Sequence, residues 1–189
     1  MNMEAMIDKY FRPGRLPHIW CPGCGNGVVT GTIVKAVAKL DLDKDKVAVI
    51  SGIGCSSRAS GYLDFNTVHS AHGRALPVAT GATFVARGTT FHAQILADLI
   101  AKGIEHKGFS LIEAVTACPI SYGRQNKMGG PADMMKWQRD HAVPLAAWDK
   151  MTEEQKAGKF PIGVLYQVEG RQEYTAAYDE LIARAQGGK

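Results

Sequence analysis

The apolar positions of this chain follow two habits, stripes at helical spacing and short unbroken runs. Over residues 28–40, Val29, Ile33, Val37 and Leu40 recur at intervals of three and four, which predicts an amphipathic helix. A polar connection at 41–46 leads into Val47-Ala-Val-Ile-Ser51, a continuous apolar run such as a strand buried on both faces requires. Residues 83–87 and 109–116 read as two further strands. Between them, 91–105 is predicted as a helix with Ile95, Leu96, Leu99 and Ile100 inward. Residues 119–150 are polar and broken by Gly129-Gly-Pro131, which predicts irregular chain. A late strand is predicted over 162–168 and a closing helix over 174–185. Residues 1–20 read as a basic, proline-containing arm. Strands alternating with helices predict an α/β fold, a parallel sheet with helices on both faces.

Two strand ends in this pattern carry chemistry. The run at 47–51 feeds directly into Gly52-Ile-Gly-Cys-Ser-Ser-Arg58, and Cys118 lies just past the 109–116 strand. Ligands in open α/β sheets collect beyond the carboxyl ends of strands, so Cys55 and Cys118 are expected on one edge of one sheet. The remaining cysteines, Cys21 and Cys24, form a Cys-Pro-Gly-Cys-Gly turn. Four thiolates are the ligand set of a [4Fe–4S] cluster. They also suit structural zinc, although a zinc ribbon usually brings two CxxC knuckles and this chain has one. A thioredoxin-like pair would follow a strand, whereas this CxxC follows the arm. Buried free thiols are the plainest alternative. Spacing leaves cluster, zinc and free thiols open.

Composition narrows the class only a little. A length of 189 residues suits one domain with a sizeable core. No apolar run reaches transmembrane length, and MNMEAMIDKYFRPGR has no secretory pattern. A cytoplasmic protein without disulfides is therefore expected. The net charge of +4 is mild and suits docking to an acidic partner protein. No Lys/Arg run with interleaved aromatics points to nucleic acid.

The motifs Trp-Cys-Pro-Gly-Cys-Gly at 20–25, Gly-Ile-Gly-Cys-Ser-Ser-Arg at 52–58 and His-Gly-Arg-Ala-Leu-Pro-Val-Ala-Thr-Gly at 72–81 belong together. So do Ala-Thr-Phe-Val-Ala-Arg-Gly at 82–88, His-Lys-Gly-Phe-Ser at 106–110 and the Cys118 strand. This set resembles the β subunit of 2-oxoacid:ferredoxin oxidoreductases over nearly the whole chain. The segments 122–129 and 133–140 resemble its 2-oxoglutarate branch. The resemblance implies a thiamine-diphosphate-binding fold in which Cys21, Cys24, Cys55 and Cys118 ligate a [4Fe–4S] cluster. It implies that Ile53, Gly54, Cys55 and Ser56, with His72, Gly73 and Arg74, touch thiamine diphosphate. Glycine-rich backbone and charge-assisted hydrogen bonds suit a diphosphate. Arg58 is a candidate for the distal substrate carboxylate, although a loop arginine can equally pair with a neighbouring acid. The implied reaction is oxidative decarboxylation of 2-oxoglutarate with coenzyme A, or its reverse, with ferredoxin as electron carrier. An α subunit is the implied partner. A pyruvate or broad 2-oxoacid enzyme, and a non-catalytic electron-transfer subunit, are the alternatives.

The chain departs from the family in one place. The family's Gly-Asp-Gly-Asp motif and following Asn loop, which hold Mg²⁺ and the diphosphate with hard oxygen ligands, do not occur here. Gly81 abuts Ala82, where the family carries a βαβ crossover or more. The central Mg²⁺/diphosphate segment is missing from the sequence. Three readings are open: a segment closed over in the sequence as written, a natural or engineered deletion, or a paralogue that kept the cluster and lost the thiamine site. The unchanged flanks favour the first. The expected organisation is an arm at 1–20, a cofactor domain at 21–150 with a gap at 81/82, and a C-terminal extension at 151–189.

Other residues read as packing or surface. His69 shares the loop of His72. His18, His92, His106 and His141 have no metal-ligand spacing, Trp20 beside Cys21 suits either a shield for the cluster or packing of the arm, and Met134 and Met135 suit packing. A tryptic mass map decides the gap. The peptide Ala75 to Arg87, ALPVATGATFVAR, exists only if Gly81 is bonded to Ala82. With a segment closed over, that peptide is expected to be missing and the intact chain heavier than 20.4 kDa.

Overall fold

A computed structural model describes residues 2–69, 82–172 and 174–187. The arm is not merely extended: helix α1 (Met3–Tyr10) opens it, capped by Asn2, whose side chain accepts from the Ala5 N–H at 2.9 Å. Helix α2 (Asn26–Lys39) forms where the stripe predicts one, but of the predicted inward positions only Val37 is buried; Val29, Ile33 and Leu40 are half-buried, and Thr30 and Val34 are buried in their place. Strand β1 (Ala48–Ser51) runs parallel to β2 (Asn66–His69), with the short helix α3 (Ala59–Tyr62) between them. Tyr10, Val34, Val37, Leu63 and Phe65 form one core, where α1 and α2 meet the chain around β2.

A second sheet runs in the order β4-β3-β6-β5. Strands β3 (Phe84–Thr89) and β4 (Ser110–Val115) are parallel and joined through helix α4 (Ala93–Glu105). Helix α5 (Pro131–His141) follows, then β5 (Ala142–Pro144) and two short helices, α6 (Leu145–Trp148) and α7 (Glu153–Lys156). Strand β6 (Phe160–Gln167) pairs antiparallel with β3 and parallel with β5, and helix α8 (Tyr174–Ala185) closes the chain. Phe84, Ala86 and Leu99 make this sheet's core, with Ile112 and Val164 against it. Helix α2 packs on α4, and Lys39 pairs with Asp98 across them at 2.7 Å.

The α/β class with parallel-dominated pairing is as expected, but three particulars differ. Strands β1 and β4 lie in separate sheets among the described residues, because the chain has no βαβ unit between Gly81 and Ala82 to supply a strand between them. Residues 119–150 are not irregular. Pro131 sits at the first position of α5, and Asp133 Oδ2 accepts from the Gly130 N–H at 3.0 Å. Its buried stripe is only Met134 and Gln138, too narrow to stand out from the polar residues around it. Ile95 is 40% exposed while Leu96 is fully buried. A spacing of three and four fits stripes starting at either residue. Contact with β3 selects Leu96, since Gly88 leaves room for it: a Cβ there would stand 2.9 Å from Leu96 Cδ1. No helix of the described residues is long and apolar enough to cross a membrane.

Tyr10 is fully buried, and its hydroxyl has no hydrogen-bond partner among the described residues. An unpaired buried hydroxyl costs free energy that its removal recovers. Tyr10→Phe is therefore expected to hold stability or raise it by up to about 1 kcal/mol. Denaturant unfolding checks this, and a clear loss would assign the hydroxyl a partner.

Candidate functional site

The cysteines come from three segments, and two hydrogen bonds bring them together. In the Cys21–Cys24 turn the Cys24 N–H donates to the Cys21 carbonyl at 3.0 Å. The Gly25 N–H then donates to the Ala117 carbonyl at 2.9 Å, next to Cys118. Only glycine permits this approach: a Cβ on Gly25 would stand 1.9 Å from Thr116 Oγ1 and 3.0 Å from the Ala117 nitrogen. On the other side, Trp20 Nε1–H donates to the Cys55 carbonyl at 2.7 Å. Trp20 packs edge-on to Tyr62 and against His18 and is 8% exposed. Cys21, Cys24, Cys55 and Cys118 line one cavity of about 120 Å³, with Ile19, Thr116 and Ile120 among its walls.

The electrostatics favour a thiolate at Cys118 and oppose one at Cys24. Backbone N–H groups of Tyr122, Ser121 and Ile120 donate to the Cys118 sulfur and hold its thiol below the ordinary range. Burial pushes the Cys24 thiol up, as do Cys118, Cys21 and Cys55 nearby, against a lowering bond from the Asn26 N–H. All four cysteines are free. Cys21 and Cys55 are exposed, and Cys24 and Cys118 are half-buried, which is not how inert core thiols sit.

Among the described residues no three Cys, His, Asp or Glu side chains converge on a single metal ion. One zinc, with Zn–S near 2.3 Å, would draw its sulfurs to within roughly 4 Å of one another. A cubane takes one thiolate on each of four irons and holds the sulfurs farther apart. The donor set and the cavity fit a thiolate-ligated cluster.

A larger cavity of about 780 Å³ lies beside the first. Gly52, Ile53, Gly54 and Cys55 line it together with Arg15, Ser57, Arg58 and Tyr62. Ile19, Cys55 and Arg58 border both cavities and so form the wall between them. Of the expected cofactor residues, Ser56 is not among the lining residues; its neighbour Ser57 is. His72, Gly73 and Arg74 lie outside the described residues. No carboxylate lines this cavity, so the described residues offer Mg²⁺ no anionic oxygen ligand there. Arg15 and Tyr62 escaped the sequence reading, although Pro13-Gly14 before Arg15 is a turn signal.

Three of the described histidines are occupied elsewhere. His106 Nε2 bonds Thr83 Oγ1 at 2.8 Å, His92 Nδ1 bonds Thr89 Oγ1 at 2.8 Å, and His141 Nδ1–H donates to the Trp137 carbonyl at 2.8 Å.

No family model matches the chain. Curated relatives do. The chain is 30% identical to 2-oxoglutarate synthase subunit KorB of Methanothermobacter marburgensis, over 86% of this chain and 88% of the relative. It is 29% identical to that of Methanocaldococcus jannaschii, over 93% and 97%. The match to the Archaeoglobus fulgidus subunit is 53% over 79 residues, 42% of this chain and 29% of that one. By shape it is similar to a solved 2-oxoglutarate:ferredoxin oxidoreductase from Magnetococcus marinus, with a TM-score of 0.75, 21% identity, and 97% and 91% of the two chains covered. The fold is thus that of an oxidoreductase subunit. The chain belongs to the 2-oxoglutarate synthase KorB family, the β subunits of 2-oxoacid:ferredoxin oxidoreductases. The M. marburgensis alignment spans 250 positions, of which 86% of 189 residues, about 163, come from this chain. The relative therefore carries roughly 87 aligned positions without a counterpart here, more than one βαβ unit of about 30 residues.

Gly25→Ala tests the docking of the CxxC turn. Overpacking is expected to cost about 1–3 kcal/mol of stability. Gly31→Ala, in α2 with no atom within 4 Å of the added Cβ, is expected to gain up to about 1 kcal/mol. Equal effects in thermal unfolding would remove the close approach as the cause.

Proposed function

We propose that this chain, with its α subunit, catalyses the oxidative decarboxylation of 2-oxoglutarate with coenzyme A to succinyl-CoA and CO₂, or the reverse carboxylation. Electrons leave to ferredoxin, in the cytoplasm. The observation that carries this reading is the shared wall: Cys55 borders both the cysteine-lined cavity and the larger cavity beside it. A centre in the first lies one residue from a ligand in the second.

Cys21, Cys24, Cys55 and Cys118 hold a [4Fe–4S] cluster in this reading. The N–H groups on Cys118 offset thiolate charge, and Trp20 and Ile120 give the cluster apolar cover. Ile53, Gly54 and Cys55, which line the larger cavity, would face thiamine diphosphate, with His72, Gly73 and Arg74 supplying hydrogen bonds and charge. Arg58 takes the distal carboxylate of the substrate. When bound, thiamine diphosphate supplies the electron sink for loss of CO₂. Mg²⁺ would need hard oxygen ligands, and among the described residues no carboxylate lines the larger cavity. The roughly 87 positions that a relative carries beyond this chain favour a second reading, an electron-transfer subunit with the cluster and without thiamine. A pyruvate or broad 2-oxoacid enzyme is the runner-up in substrate.

The purified αβ complex is expected to reduce ferredoxin or viologen with 2-oxoglutarate only when coenzyme A is present, with kcat/KM above that for pyruvate. Serine in place of any of the four cysteines is expected to remove iron and sulfide. Zinc without iron, or no reduction by any 2-oxoacid, would falsify the reading. Iron and sulfide without thiamine-dependent turnover would establish the electron-transfer subunit.

A further inference from the structure

We infer that Arg15 is a second cation of the substrate pocket, forming with Arg58 a two-guanidinium clamp that selects 2-oxo diacids over 2-oxo monoacids. The inference rests on the larger cavity being the 2-oxoacid site. Arg15 and Arg58 come from separate segments and line the same cavity, which no Asp or Glu lines. Neither side chain has an ion pair among the described residues. Residues 70–81, which follow β2, contain no acid that could supply one. Two unneutralised guanidinium groups on one cavity are a site for a dianion, and the planar fork of arginine matches a carboxylate bidentately.

The position of Arg15 is built. Pro13 and Gly14 occupy the central positions of a turn, with Gly14 at φ +70° and the Arg15 N–H donating to the Arg12 carbonyl at 3.3 Å. A positive φ at the third turn residue is the type II geometry that glycine allows. Both flanks of the turn are anchored. The Arg12 N–H donates to the Tyr62 carbonyl at 2.9 Å, and its guanidinium donates to the Leu63 carbonyl and Thr67 Oγ1, each at 3.0 Å. Four residues beyond Arg15, the Ile19 N–H donates to the Tyr62 hydroxyl at 3.0 Å. Arg12 is thus spent on the fold, whereas Arg15 is presented to the cavity with its charge free.

The test uses the αβ complex. Arg15→Ala is expected to lower the ratio of kcat/KM for 2-oxoglutarate to that for 2-oxobutyrate by roughly tenfold or more, the loss of one charged hydrogen bond. Arg15→Lys is expected to recover part of it, keeping charge without the fork. Thiamine diphosphate affinity, measured by calorimetry, separates a clamp on substrate from one on the diphosphate. An unchanged ratio, or a loss of thiamine diphosphate affinity that accounts for the whole effect, overturns the inference. A second readout needs no turnover. Phenylglyoxal labelling of the wild-type complex, mapped by mass spectrometry, is expected to show 2-oxoglutarate protecting Arg15 and Arg58, and 2-oxobutyrate protecting Arg15 less. Labelling of Arg15 indifferent to 2-oxoglutarate overturns it. A wild-type complex inactive with every 2-oxoacid sinks the proposed function itself, whereas an active one with an unchanged ratio sinks the clamp alone.

Discussion

The hydrogen bond from the Gly25 N–H to the Ala117 carbonyl, 2.9 Å long, is the contact on which the site depends. It sets the CxxC turn beside Cys118, across a gap that admits no side chain at residue 25. Trp20 completes the arrangement by donating to the Cys55 carbonyl. The turn thus lies between two strand ends that belong to different sheets among the described residues. Four cysteines spread over nearly a hundred positions of sequence become the lining of one small cavity.

Behind this junction, the polar residues of α5 and the end of β3 brace the strand that carries Cys118. Buried Gln138 accepts from Thr90 Oγ1 and from the Phe91 N–H, both at 3.0 Å. The Val115 carbonyl, three residues before Cys118, accepts from the Thr90 N–H at 3.0 Å. A buried amide with its groups satisfied adds rigidity, because leaving them unpaired would cost the full desolvation. The segment that looks irregular in sequence is therefore part of what holds the cysteine in place.

The arm plays the matching role for the second cavity. It is anchored along residues 62–64 by the bonds of Arg12 and by the Asp64 N–H, which donates to the Tyr10 carbonyl at 2.8 Å. Through that anchoring the arm contributes Arg15 and Ile19 to the cavity wall. Cys55 lines both cavities, beside Arg15 and Ile19 of the arm in the larger one and beside Cys21 and Cys24 in the smaller.

Much of this was legible in the sequence. The run at 47–51, the strand at 83–87 and the helix at 174–185 stand close to where their patterns put them, since unbroken apolar runs and 3.6-residue stripes are local signals. The cysteine motifs and their resemblance named the family. The sequence could not say which of two overlapping stripes on α4 turns inward, because packing on Gly88 decides it. It hid α5, whose buried stripe of Met134 and Gln138 is narrow. It gave no sign that Arg12 is consumed by Leu63 and Thr67 while Arg15 has no ion pair among the described residues. The sequence by itself determined the family, through its motifs, and most of the local elements. The tertiary structure alone decided which distant residues share a cavity, because close approach at Gly25 and Trp20 depends on backbone placement that no local pattern encodes.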